Sequence, residues 1–226
     1  MVNYVSRKLP TARIITSRLI KLVAVAAALV IAALVMGFVW WPRSPVNLGT
    51  AGSGVTSSLA HRWQAGEVVV LVRHAERCDR SGNPCLGPAD GITQIGSAAA
   101  TAVGQGFMQL GMAQTDVLSS PATRTAQTSH YMFGKDAVTQ DWLVSCGKTL
   151  RNDVVAHKQA HRNLVLVTHS GCISDFEAQT GFEHATTSEY GSALFVQITA
   201  DGQPQVLGIV NATDWQTLLH DKALKQ

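Results

Sequence analysis

Leu22 to Trp41 is a run of twenty residues without a charge, LVAVAAALVIAALVMGFVWW. At 1.5 Å per residue a helix of that length spans about 30 Å, the thickness of a bilayer's hydrocarbon core. Five cationic residues (Arg7, Lys8, Arg13, Arg18, Lys21) precede the run, and Trp40-Trp41 closes it. A basic flank on one side and tryptophan at the other interface is the pattern of a span with its N-terminus inside and the rest of the chain outside. A cleavable signal peptide usually has an apolar region of 7–15 residues followed by small residues at its cleavage site. Here the run is longer and WWPRSP closes it, so the sequence favours an uncleaved signal-anchor. A buried core helix would need apolar partners on every face.

The span divides the charge. Residues 1–66 hold seven Lys/Arg and no acidic residue, whereas residues 67–226 hold eleven Lys/Arg and fifteen Asp/Glu. The body is therefore mildly acidic. The overall charge of +3 is no nucleic-acid footprint. Residues 1–21 read as a basic cytoplasmic tail and 22–41 as the membrane span. Residues 42–60, rich in Pro, Gly, Ser and Thr, read as a flexible linker, and 61–226 as one folded domain. All four cysteines (Cys78, Cys85, Cys146, Cys172) fall in the body, which this topology places where disulfides form. Four cysteines allow three pairings. The short loop containing Gly82 and Pro84 favours Cys78–Cys85 as a local pair, with Cys146–Cys172 following by elimination. No spacing suggests a metal site.

The body alternates strands with helices. Glu67–Arg73 and Asn163–Thr168 are short β-branched runs of the kind buried in parallel sheets. Residues 94–110 are Ala-rich and helical in pattern, weakened by three glycines. Residues 116–119 read as a short strand, Pro121 suits the start of a helix running to Phe133, and 149–161 read as a helix. SALFVQIT and QVLGIV flank Asp201-Gly202, a hairpin signal. The expected fold is an α/β three-layer αβα sandwich with a mainly parallel sheet, preceded by one N-terminal transmembrane helix.

Ligands in such sheets bind at the carboxyl ends of the strands. Three of those ends carry Arg73-His74-Ala75-Glu76-Arg77, Ser119-Ser120-Pro121-Ala122-Thr123-Arg124 and Thr168-His169-Ser170-Gly171. Two histidines and three arginines in that context form a pocket for a dianion. Guanidinium groups bind phosphate oxygens in pairs and helix N-termini add backbone donors. A histidine among them can attack phosphorus. With the arginines holding the transition-state charge, the arrangement calls for no cofactor or metal.

VLVRHAER, LSSPATRTAQTS and VTHSG, in this order, resemble the histidine phosphatase superfamily, whose fold is phosphoglycerate-mutase-like. The stretch GITQIGSAAATAVGQGF is similar to the helix that follows its catalytic loop. RHAERCDRSGNPCLGPADGIT, the Cys-Gly at 146–147, the cysteine three residues after His169 and the membrane-directed N-terminus most resemble the lipopolysaccharide core heptose(II)-phosphate phosphatase family. The resemblance implies His74 as nucleophile, Arg73, Arg77 and Arg124 on the phosphate, and His169 as the second histidine that binds the phosphate and steadies the transferring group. It also implies a phosphatase of a sugar phosphomonoester, a heptose phosphate of the lipopolysaccharide core, anchored in the bacterial inner membrane and facing the periplasm. Alternatives are a phosphoprotein (phosphohistidine) phosphatase, or a weakly catalytic envelope protein that binds anionic sugars.

Two positions depart from the superfamily pattern. Ala75 replaces the glycine that usually follows the nucleophile, which requires a negative φ there. The carboxylate that protonates the leaving group is missing: Ser145 and Ser170 stand at the two places where the superfamily carries it. Glu76, Asp141 and Asp153 remain as candidate donors. Asp79 and Arg80 read equally as pocket or surface groups. His157 and His161, at i and i+4, read as a solvated helix face, and Tyr131, Phe133 and Trp142 as core. Trp215 is expected to pack at the sheet edge.

Overall fold

The computed structural model describes residues 12–40 and 43–220. Residues 1–11 of the basic tail, together with Trp41 and Pro42, lie outside the described residues. The chain divides into two units, Met1–Trp41 and Pro42–Gln226. Among the described residues the first holds one helix, α1 (Ala12–Trp40), ten residues longer at its start than the apolar run alone. Its stretch Ser17–Phe38 is apolar and exposed along its whole length. It is long and apolar enough to cross a bilayer, and a signal sequence passes the same test.

The second unit is built on a six-stranded sheet in the order β3-β2-β4-β1-β5-β6. The strands are β1 (Val68–Arg73), β2 (Thr115–Ser119), β3 (Val138–Thr139), β4 (Asn163–Thr168), β5 (Ala193–Ile198) and β6 (Pro204–Val210). The first four pair in parallel, while β5 and β6 run antiparallel as the Asp201-Gly202 hairpin requires. Val68 to Val72 and Leu164 to Val167 are buried, as β-branched runs covered on both faces must be.

Helices cover both faces. α3 (Gln94–Leu110), α4 (Thr123–Phe133) and α7 (Trp215–His220) pack with α2 (Ser53–Gln64) on one side, around Phe107, Trp63, Phe195 and Trp215. α5 (Leu150–His157) and α6 (Ser170–Gln179) cover the other, around Leu150, Ile173 and Phe176. The expected three-layer architecture is therefore present.

Three expectations are corrected. Residues 43–60 are no flexible linker. Leu48 and Leu59 are buried anchors, Asn47 bridges to Ile209 of β6, and α2 begins at Ser53. Apolar side chains at Leu48, Leu59 and Trp63 override the small-residue composition. Tyr131 is no core residue but 37% exposed. Trp215 packs into the core of one face, 4.7 Å from the Phe107 ring, rather than at the sheet edge. Phe133 does join that core, and Trp142 stacks on His157 beside the other.

The three glycines of α3 mark contact rather than weakness. A Cβ on Gly104 would lie 2.0 Å from the carbonyl oxygen of Met132, and one on Gly106 would lie 2.2 Å from the Trp215 ring. α5 ends at His157, four residues before its expected end. The chain turns through His161, whose φ is +57°, to enter β4.

Candidate active site

Parallel registry sets the site. Arg73 pairs with Thr168 at the ends of β1 and β4, and Ser119 pairs with Val167 at the ends of β2 and β4. The next backbone groups continue the ladder: His74 N–H donates to Thr168 O and Ser120 N–H to Val167 O, both at 2.9 Å. His74, Ser120 and His169 thus leave the sheet side by side. The rings of His74 and His169 lie 5.4 Å apart, edge to face.

Each ring has a fixed proton arrangement. His74 Nδ1 is 2.7 Å from the carbonyl oxygen of Ala75, which can only accept, so Nδ1 carries the hydrogen and Nε2 the lone pair. Burial, then the nearby His169, Arg124 and Arg73, holds His74 down to about 3, so it is neutral at pH 7. His169 Nδ1 accepts from the Arg124 guanidinium at 3.2 Å, since arginine only donates. Its Nε2 then carries the hydrogen and faces Ser120 Oγ at 2.9 Å. Burial, then Arg124 and Arg77, lowers His169 to about 4.

Arg73, Arg77 and Arg124 act on the pair. Arg73 and Arg124 are lowered chiefly by burial, and both feel the positive charge of Arg77 and Arg80. The Nε of Arg73 and of Arg124 is buried without a hydrogen-bond partner in the protein. A buried unpaired donor costs about 1–3 kcal/mol, so both arginines are primed for an anion. Arg77 is held by Asp79, with Nε 2.7 Å from Oδ1, which raises its pKa.

Supporting bonds fix the loops. Ala75 N–H donates to Thr128 Oγ1 on α4, tying the loop after His74 to the helix that carries Arg124. His161 is the only non-glycine residue with positive φ among the described residues, so alanine at position 75 meets its requirement. The segment before β5 clasps β1: Gly191 N–H donates to Arg73 O and His74 O, and Arg73 Nη1 donates to Ser188 O. This places the Tyr190 ring 3.9 Å from the Arg73 guanidinium carbon and 5.6 Å from the His74 ring.

The disulfides are Cys78–Cys85 and Cys146–Cys172. The first closes the loop after His74, and the second pins the segment before α5 to the start of α6. Among the described residues no group of three His, Cys, Asp or Glu is placed to hold a metal ion.

No protein-family model matches the chain. Over 120 residues, 52% of this chain, it is 36% identical to the lipopolysaccharide core heptose(II)-phosphate phosphatase of Escherichia coli. The match spans 60% of that relative's length. Among solved structures it is similar to the protein histidine phosphatase SixA complexed with tungstate, with a TM-score of 0.54. That likeness covers 65% of this chain and 98% of the other at 15% identity. It is also similar to the phosphoserine phosphatase of Entamoeba histolytica in complex with 3-phosphoglyceric acid. There the TM-score is 0.50 at 14% identity, over 63% of this chain and 95% of the other. The fold is that of the histidine phosphatases.

Within this histidine phosphatase fold the sequence-predicted residues separate into two groups. His74, His169, Arg73, Arg77 and Arg124 come together at the strand ends. The three candidate proton donors do not converge on them. Glu76 accepts from Thr93 Oγ1 at 2.7 Å and from Asn83, which holds its carboxyl below the usual range and ties the loop to the start of α3. Asp141 is exposed past β3, three strand spacings from β1, or about 14 Å along the sheet. Asp153 lies on α5, where neighbouring Arg151 bonds Gln203 in the β5–β6 turn at the opposite edge of the sheet.

Ser120 and Tyr190 were missed as individual site residues. Ser120 sits inside a quoted motif, but its bond to His169 depends on the β2–β4 register. Tyr190 lies seventy residues beyond the second motif's Ser120, and nothing local marks it.

Proposed function

We propose that this chain is a metal-independent phosphatase that works through phosphohistidine at His74. The observation that carries the reading is the His74 ring. Its Nδ1–H is spent on a backbone carbonyl, and its Nε2 lone pair stands free, unprotonated, among arginines. Nε2 attacks phosphorus and the ester oxygen leaves. Arg73, Arg77 and Arg124 bind the phosphoryl oxygens and offset the charge of the transition state. Arg124 also fixes His169, which faces the same oxygens. Water then attacks the phosphohistidine, and inorganic phosphate departs.

The substrate class is a sugar phosphomonoester, taken as a heptose phosphate of the lipopolysaccharide core. The 36% identity to an enzyme of that name supports it. Location in the periplasm, tethered by α1, agrees with the apolar stretch Ser17–Phe38 and with two disulfides, which persist in oxidising compartments. A membrane tether raises the local concentration of a substrate embedded in the same envelope.

The test uses the full chain in detergent micelles with EDTA present. Phosphate release is measured from a panel of phosphomonoesters that includes heptose phosphates and lipopolysaccharide. Release by the wild type and loss of at least about 10³-fold in His74→Ala is expected, since the covalent route disappears. Equal release by the variant contradicts the reading.

A further inference from the structure

We infer that Tyr190 is the proton donor to the leaving oxygen, a role that rests on the phosphatase reading and completes it. A sugar alcohol is a poor leaving group and needs a proton as the P–O bond breaks. Three carboxylates of the loops around the site are committed elsewhere. Glu76 is bonded to Thr93 and Asn83, Asp79 to Arg77, and Asp90 to Thr123. Asp141 is exposed at the end of β3, three strands from His74, and Asp153 lies on α5 away from the strand ends. Both nitrogens of His169 are engaged, one by Arg124 and one by Ser120.

Tyr190 remains as a group with a transferable proton in contact with the reacting residues. Its ring lies against Arg73 and His74, and its phenol is within electrostatic reach of the Arg73 and Arg77 guanidinium groups. These are the cations assigned to the substrate phosphate, so the hydroxyl borders the phosphate position. The ring cannot drift, because Ser188 O, Gly191 N–H and Ser192 O all bond the end of β1.

The step balances. The His74 Nε2 lone pair forms the N–P bond. The P–O bond to the sugar breaks, its electron pair passes to the sugar oxygen, and that oxygen takes the proton of Tyr190 Oη. In the second half water attacks phosphorus and gives a proton to the Tyr190 phenolate. The N–P bond breaks and its pair returns to His74. Ester and water become alcohol and phosphate, and the enzyme is restored.

The test compares Tyr190→Phe with the wild type on two esters, a hexose 6-phosphate and p-nitrophenyl phosphate. Phenylalanine keeps the ring over Arg73 and removes only the hydroxyl. The expected result is a fall in kcat/KM of about 10²-fold or more on the hexose phosphate. On the aryl ester, whose leaving group needs no proton, the change is expected to stay below about 3-fold. An equal fall on both esters overturns the inference, since that is the mark of a positioning role. No fall on the hexose phosphate overturns it too. So does a wild type active only on the aryl ester, because a working donor extends the reaction to alcohols. A wild type inactive on both overturns the phosphatase reading itself, and the inference with it.

Discussion

The chemistry of this protein concentrates in two imidazoles forced to stay neutral. His74 is 3% exposed, and its pKa falls to about 3, mainly through burial, while His169 falls to about 4. The unfolded chain binds protons on both rings below about pH 6.5, whereas the folded chain does not until about pH 4 or 3. The contribution of the two neutral rings is therefore complete above pH 6.5 and declines as pH falls through that window. For His74 the loss at pH 4 has an upper bound of about 3 kcal/mol. His74→Asn is expected to flatten the fall in Tm between pH 6.5 and 4, measured by calorimetry. A variant that tracks the wild type contradicts burial of the neutral ring as the cause. The histidines and arginines were legible because strand-end motifs carry both residue type and position. The partners that set their protonation, Ala75 O, Ser120 and Arg124, depend on registry that a linear sequence does not display.

At the level of elements, the site depends on how closely α4 approaches α3. α4 carries Arg124, and its Met132 carbonyl sits where a side chain at Gly104 would be. Gly104→Ala is expected to lower stability by about 2 kcal/mol or more and to weaken phosphate release as Arg124 shifts. Gly54→Ala, in α2 with open space around it, is expected to change stability by no more than about 1 kcal/mol in the stabilising direction. Denaturant unfolding of both variants checks the pair, and equal effects would contradict the packing argument. These glycines read in the sequence as a weakened helix, because propensity reports the isolated segment and not the neighbour it must admit. The buried strands were legible from β-branched runs, and the hairpin from Asp201-Gly202. The stretch at 43–60 was hidden, since Pro, Gly and Ser dominate its composition while Leu48 and Leu59 decide its packing. The missing proton donor was sought among acidic residues. Tyr190 enters the site only through the antiparallel return of β5 beside β1.

For the whole molecule, the two disulfides agree with the proposed oxidising compartment. Cys78–Cys85 and Cys146–Cys172 brace the two loops nearest the histidines, so reduction should act on stability and activity together. Each removed disulfide typically costs about 2–5 kcal/mol in a small secreted domain. A reductant is expected to lower Tm clearly and to reduce phosphate release in parallel, whereas unchanged values would show the bonds to be dispensable. The central claim is tested most directly by chemical quench of the full chain during turnover of a phosphomonoester. The account predicts acid-labile, alkali-stable phosphate mapped by peptide mass spectrometry to His74 and absent in His74→Ala. Turnover with no phosphate on His74, or phosphate trapped on another residue, would contradict it.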